Sequence, residues 1–184
     1  MAVSIGDVVA GFFAHDVRQT EPRIVDLDQP IRIVGVVMET SVRTIARDVP
    51  NLGRQLREVK RTHRVPDRVE PWGFAAVSMG FDRDTGIFLY LMGDRVSTLD
   101  EIPEGLVGFE IPEGKYAVFP VRPKNPLGWP IAITRAKRHA YEVWLPRSGF
   151  APAGGIDDFE YHDERSTRRQ DPEIDLYVAL RDTL

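Results

Sequence analysis

Slid against itself by 87 positions, the chain matches itself without a gap across several segments. Trp72-Gly73-Phe74 falls on Phe159-Glu160-Tyr161, and Ile87-Phe88-Leu89-Tyr90-Leu91 falls on Ile174-Asp175-Leu176-Tyr177-Val178. A near-equal shift lays LDQPIRIVGVV, from Leu27, over IPEGKYAVFPV, from Ile111. Self-similarity over nearly half of 184 residues restricts the fold more than any composition does. Each half offers a β-rich stretch, a helical pattern and two strands joined by a turn.

The helical patterns are legible in apolar spacing. Val49, Leu52, Leu56 and Val59 recur three and four apart, with Pro50 near the predicted start. The second helix is expected to begin at Pro130, to place Ile133, Ala136, Ala140 and Val143 on one face, and to end around Trp144 because Pro146 follows. Turns are marked by Asp84 and Gly86 in FDRDTGIF and by Asp171-Pro172 in RRQDPEID. The Pro- and Gly-rich stretch from Ile102 to Gly114 reads as the join.

These parts define an α+β fold: a tandem duplicated β-α-β-β repeat with a mostly antiparallel sheet and a central cleft between the halves. Repeat one spans about 21–100 and repeat two about 105–184, behind an N-terminal extension, 1–20. In that extension Val8, Val9, Phe12 and Phe13 suit one side of a short capping helix.

A seam between two half-sheets is a preferred place for a ligand pocket. Under the 87-residue shift Trp72 and Phe159, and Tyr90 and Tyr177, become paired aromatics facing each other across it, while Glu160 has only Gly73 opposite. Alternation along FEYH puts Glu160 and His162 on one strand face.

Composition excludes several classes. A formal net charge of −4 is too mild to suggest a nucleic-acid partner. With no cysteine there is no disulfide, thiolate catalysis or Cys-ligated zinc, which suits a cytoplasmic setting. His15, His63, His139 and His162 lack metal-ligand spacing, and no phosphate-binding glycine motif is present, so neither metal nor cofactor is expected. The start lacks the basic region of a signal peptide, and no apolar run approaches the roughly 20 residues that span a bilayer. The basic run RQLREVKRTHRVPDR, from Arg54, reads as a solvated helix face.

Five motifs in register, YLMGD from Tyr90, IPEGKYAVFPV, EVWLPRSGF, FEYHDE and EIDLYVAL, resemble the GyrI-like small-molecule-binding domain. The same domain is the effector-binding domain of AraC-type and MerR-type bacterial transcription regulators. The likeness runs from about Glu21 to the C-terminus. It implies a tandem β-α-β-β domain with an aromatic pocket and a glutamate at the pocket floor. Glu160 matches that glutamate, and Tyr90 and Tyr177 match pocket aromatics. Trp72 is a looser match, and Tyr116, Phe119, Tyr141 and Trp144 complete the expected lining. Only Met1–Thr20 precede the domain, so a stand-alone module without direct DNA binding is expected.

Three functions follow as expectations. The first is a binding module for aromatic, often cationic or amphipathic molecules, used in sensing or in sequestering. In it Glu160 supplies charge and Tyr90, Tyr177 and Trp72 the stacking walls. Burial is expected to raise the Glu160 pKa unless a cationic ligand or a neighbouring donor compensates. The second is a hydrolase of strained-ring genotoxic compounds, with Glu160 as acid or base beside Tyr90 or Tyr177. The third is a protein-interaction role, since the family's namesake inhibits DNA gyrase.

Overall fold

The computed structural model describes residues 21–70, 73–124 and 128–183. The N-terminal extension, 1–20, and Trp72 lie outside them, and with them the expectations placed there. The elements follow in the order β1 (Arg23–Leu27), β2 (Ile31–Ser41), α1 (Ile45–Thr62), β3 (Phe74–Met79), β4 (Ile87–Val96), β5 (Val107–Ile111), β6 (Gly114–Val121), α2 (Trp129–Arg138), β7 (Phe150–Pro152), β8 (Asp158–His162) and β9 (Ile174–Asp182). The named strands form one antiparallel sheet, ordered β1-β6-β9-β8-β3-β4-β2-β5, with β7 added on β9. This is an α+β fold.

The sheet curls. β5 lies at one end of the strand order and β6 one place from the other end, yet only Pro112 and Glu113 separate them in the chain. The two ends must therefore meet, and at that corner the Tyr116 hydroxyl donates to Pro112 O at 2.7 Å. The inward face packs Ile33, Val77, Leu91, Ile111, Tyr116 and Phe159 into one core. Gly35 pairs with Gly93 in the β2–β4 ladder, where a Cβ at position 35 would overlap Met92 O and the Gly93 Cα. Bare backbone there lets the strands coil closely.

Both helices cover the outward face. Leu52 and Leu56 of α1 pack on Val34, Val36 and Phe88, while Ile133 and Ala136 of α2 pack with Phe119, Leu176 and Val178. β3 and β8 run between the two helices. α1 begins before Pro50, at Ile45, so the proline sits inside the helix and not at its start. The predicted second helix changes pitch: α2 passes into a π-helical turn, His139–Trp144, and then a 3-10 turn, Leu145–Arg147.

The halves carry their parts in like order, but the offset differs from the one predicted. The β3–β4 pair Ala76–Met92 corresponds to the β8–β9 pair Glu160–Leu176 at an offset of 84 (76 to 160, 92 to 176). The same offset lays β1, Arg23–Leu27, on β5, Val107–Ile111, so the stretch expected to be a plain join contains a strand. An 87-residue offset is odd, and an odd slip moves every side chain to the other face. Tyr90 and Tyr177 are accordingly not counterparts, and Glu160 stands beside Ala76, not Gly73.

Candidate functional site

Side-chain alternation along β8 sends Asp158, Glu160 and His162 outward, into the gap between α1 and α2. Glu160 pairs with Ala76 and Leu176, both on the helix-covered face. Its neighbour Phe159 pairs with Val77 and Tyr177 and points into the inward core. Asp158 and Glu160 are each only 3% exposed.

α2 supplies their partner. Lys137 Nζ lies 2.8 Å from Asp158 Oδ1 and 2.9 Å from Glu160 Oε1, and it donates to Ser78 Oγ at 3.1 Å. The same ammonium stands 5.8 Å from the centre of the Tyr90 ring, within cation–π range. One turn further on, Tyr141 donates to Asp158 Oδ2 at 2.9 Å. Lys137 and Tyr141 reach one target because residues four apart share a helix face. Tyr90 Oη lies 3.5 Å from Glu160 Oε1, at the limit of a hydrogen bond. On the far side His162 Nε2 is 3.6 Å from Glu160 Oε2, and its ring stacks on Phe74 with centres 4.1 Å apart. Trp129, the first residue of α2, tilts against that ring at 5.8 Å.

Electrostatics follow from this packing. Burial works to raise the Glu160 carboxyl, but Lys137, and after it His162, outweigh burial and hold it at about 2. The expected upward shift does not occur, because a neighbouring donor compensates. Burial works against the Lys137 ammonium too; Asp158 and Glu160 overcome it and raise its pKa. Burial, then the Glu160 charge, pushes the Tyr90 hydroxyl well up, and burial with Asp158 does the same for Tyr141. The cluster thus sets two carboxylates and two neutral phenols around one ammonium.

Of the residues singled out from sequence, Tyr90 and Tyr141 join Glu160. Phe119 and Trp144 lie on the helix side but pack edge-to-face with each other at 5.4 Å, in the cluster beneath the π turn. Tyr116 and Tyr177 are on the inward face: Tyr177 stacks on Phe159 at 4.3 Å, and Tyr116 meets Phe159 edge-on at 5.6 Å. The expectation that Tyr177 faces Tyr90 across a seam beside Glu160 is corrected by that placement. Sequence reading missed Asp158, Ser78 and above all Lys137, which sits in the basic run Arg135-Ala136-Lys137-Arg138 and reads as solvated. The available signal was three polar residues, Asp158, Glu160 and His162, on one face of a strand.

A separate surface depression of about 390 Å³ is lined by Glu21, His139, Val143, Trp144, Arg147 and Ser148. Among the described residues no group of three or more His, Asp or Glu is placed to hold a metal ion, and no helix is long and apolar enough to cross a membrane.

The chain belongs to the integron-associated effector binding protein family, Cass2, whose model matches residues 23–180. Its domain is a GyrI-like effector-binding domain, the kind found in bacterial transcription regulators. It is similar to the transcriptional regulator BrlR of Pseudomonas aeruginosa, 32% identical over 128 residues, which are 67% of this chain and 44% of BrlR. The chain thus spans less than half the length of that relative. Among solved structures it resembles the integron cassette protein VCH_CASS2 of Vibrio cholerae, with a TM-score of 0.60 and 15% identity over 88% of this chain and 97% of that one. It also resembles SAV2435, solved bound to tetraphenylphosphonium, with a TM-score of 0.67 and 12% identity over 88% of this chain and 94% of that one.

Proposed function

We propose that the chain is a small-molecule-binding module for aromatic or amphipathic cations, seated over β3 and β8 between the two helices. Glu160 is the charge partner, and Tyr90 and Tyr141 are the ring walls. The observation that carries this reading is the charge count of the buried cluster: Asp158 and Glu160 against Lys137, with His162, 3.6 Å from Glu160, adding charge only when protonated. Two carboxylates beside one ammonium in a low-dielectric gap give the cluster a negative field, which favours a cationic ligand over a neutral one. Aromatic faces beside the carboxylates add stacking and cation–π attraction. The tetraphenylphosphonium in SAV2435 supports that ligand class as the first to try. The use of such binding is sensing, through contacts with a regulator, or sequestering.

Isothermal titration tests it with tetraphenylphosphonium and an uncharged arene of matched size. Glu160→Gln is expected to weaken binding of the cation by about 1–3 kcal/mol, the range of a hydrogen bond to a charged group, and to leave the neutral arene unaffected. Equal losses for both probes, or none for either, defeat the proposal. The hydrolytic alternative asks Glu160 to take up a proton near neutral pH, and a carboxyl held at about 2 is a weak base for that work.

A further inference from the structure

We infer that Lys137 is a tethered stand-in for the ligand's cation, and that organic cations enter the site by exchanging with its ammonium. The inference rests on the binding reading above and names the residue that decides which ligands succeed. Lys137 Nζ already holds the position a bound cation needs: between Asp158 Oδ1 and Glu160 Oε1, at 2.8 and 2.9 Å, with Tyr90 beside it. A second cation has no way to make those contacts while the ammonium is there, and like charge repels it.

Exchange is open to Lys137 because its side chain retains 22% exposure, so a rotamer change carries the ammonium into water on its flexible stem. One cation stays between the two carboxylates before and after exchange, so the net charge of the cluster does not change. The exchange also discriminates. An ammonium is strongly hydrated and gains on release, whereas a large, weakly hydrated aromatic cation loses little water on entry and gains ring contact. Small hydrated cations lack that difference and do not displace the lysine. Neutral arenes bring no charge to replace it.

Two measurements test this with tetraphenylphosphonium as probe. The first is reductive methylation of the intact protein, read by peptide mapping; the chain has four lysines, Lys60, Lys115, Lys124 and Lys137. Lys137 is expected to be protected in the free protein and to gain label severalfold with the cation present, while exposed Lys124 stays constant. The second compares wild type with Lys137→Met/Asp158→Asn, which empties the cage yet keeps one excess negative charge and an acceptor for Tyr141. Its affinity for the cation is expected to rise by at least about tenfold, the scale of one charge-assisted contact.

Binding to wild type with Lys137 still protected, or no gain in the double variant, overturns the exchange and leaves the binding reading standing. Failure of wild type to bind the cation overturns both. If the double variant does not fold, labelling of wild type decides alone.

Discussion

Tyr141, in the π-helical turn that continues α2, and Asp158 of β8 are joined by a hydrogen bond of 2.9 Å, in which the phenol donates to Oδ2 while Lys137 occupies Oδ1. Each oxygen of a 3%-exposed carboxylate is thereby matched to a donor from the same helix face. Tyr141→Phe removes one donor and leaves a buried acceptor half-satisfied. A loss of about 1–3 kcal/mol in urea denaturation is expected at neutral pH, with cation binding retained through Glu160.

Glu160 makes stability depend on acid. Its folded-state pKa is depressed to about 2 from 4.5, so its contribution is fully present above pH 4.5 and is lost as pH falls toward 2. The linked free energy is on the order of 3 kcal/mol. Denaturant melts at steps from pH 5 to pH 2 should show a falling limb in wild type that flattens in Glu160→Gln. Parallel limbs in the two proteins would remove Glu160 from the acid-sensitive set. At pH 7 the variant is expected to be less stable, since Lys137 loses one of its two carboxylates.

Arg165 clasps the end of β8 to the start of β9, with Nη2 2.7 Å from Asp175 Oδ2, Nη1 2.6 Å from Glu173 Oε1, and Nε 2.9 Å from Asp163 Oδ2. Asp175 is 6% exposed, and its next cation, Arg23, is 3.7 Å away. Arg165→Ala is expected to cost about 2 kcal/mol, below the full value for a buried pair because the arginine side chain is 28% exposed. Thermal melts at low and high salt check this; a cost that vanishes at high salt would mark the clasp as a surface pair.

Gly35→Ala is expected to be among the costliest single-methyl additions in the chain. The new Cβ meets backbone at Met92 and Gly93, which has no rotamer to change. A loss on the order of 3 kcal/mol or more, or failure to fold, is expected. Gly154→Ala, where a Cβ meets nothing within 4 Å, is the control that should leave the melting temperature unchanged.

The order of strands and helices was legible because turns, prolines and apolar periods are local signals. Register was not. The letters of IFLYL and IDLYV match best at 87, but strand pairing fixes the correspondence at 84, and only that even offset keeps Ala76 and Glu160 on the same face. Glu160 was legible from its motif, and its pairing with His162 from alternation. Lys137 was hidden because its neighbours in sequence, Arg135 and Arg138, have the same charge, and nothing local marks Lys137 as aimed at a strand about 20 residues away. Tyr177 was misplaced by the same odd slip that made it look like the twin of Tyr90.

The strand order has one consequence beyond register. β1, which precedes β2 in the chain, hydrogen-bonds to β6, and β5, which precedes β6, hydrogen-bonds to β2. Each half therefore lends its leading strand to the other, like two people standing with linked arms. The halves cannot swing apart as jaws without breaking ladders on both sides of the molecule. Whatever enters between the helices is met by a frame that stays shut, and the yielding parts are side chains and helix ends.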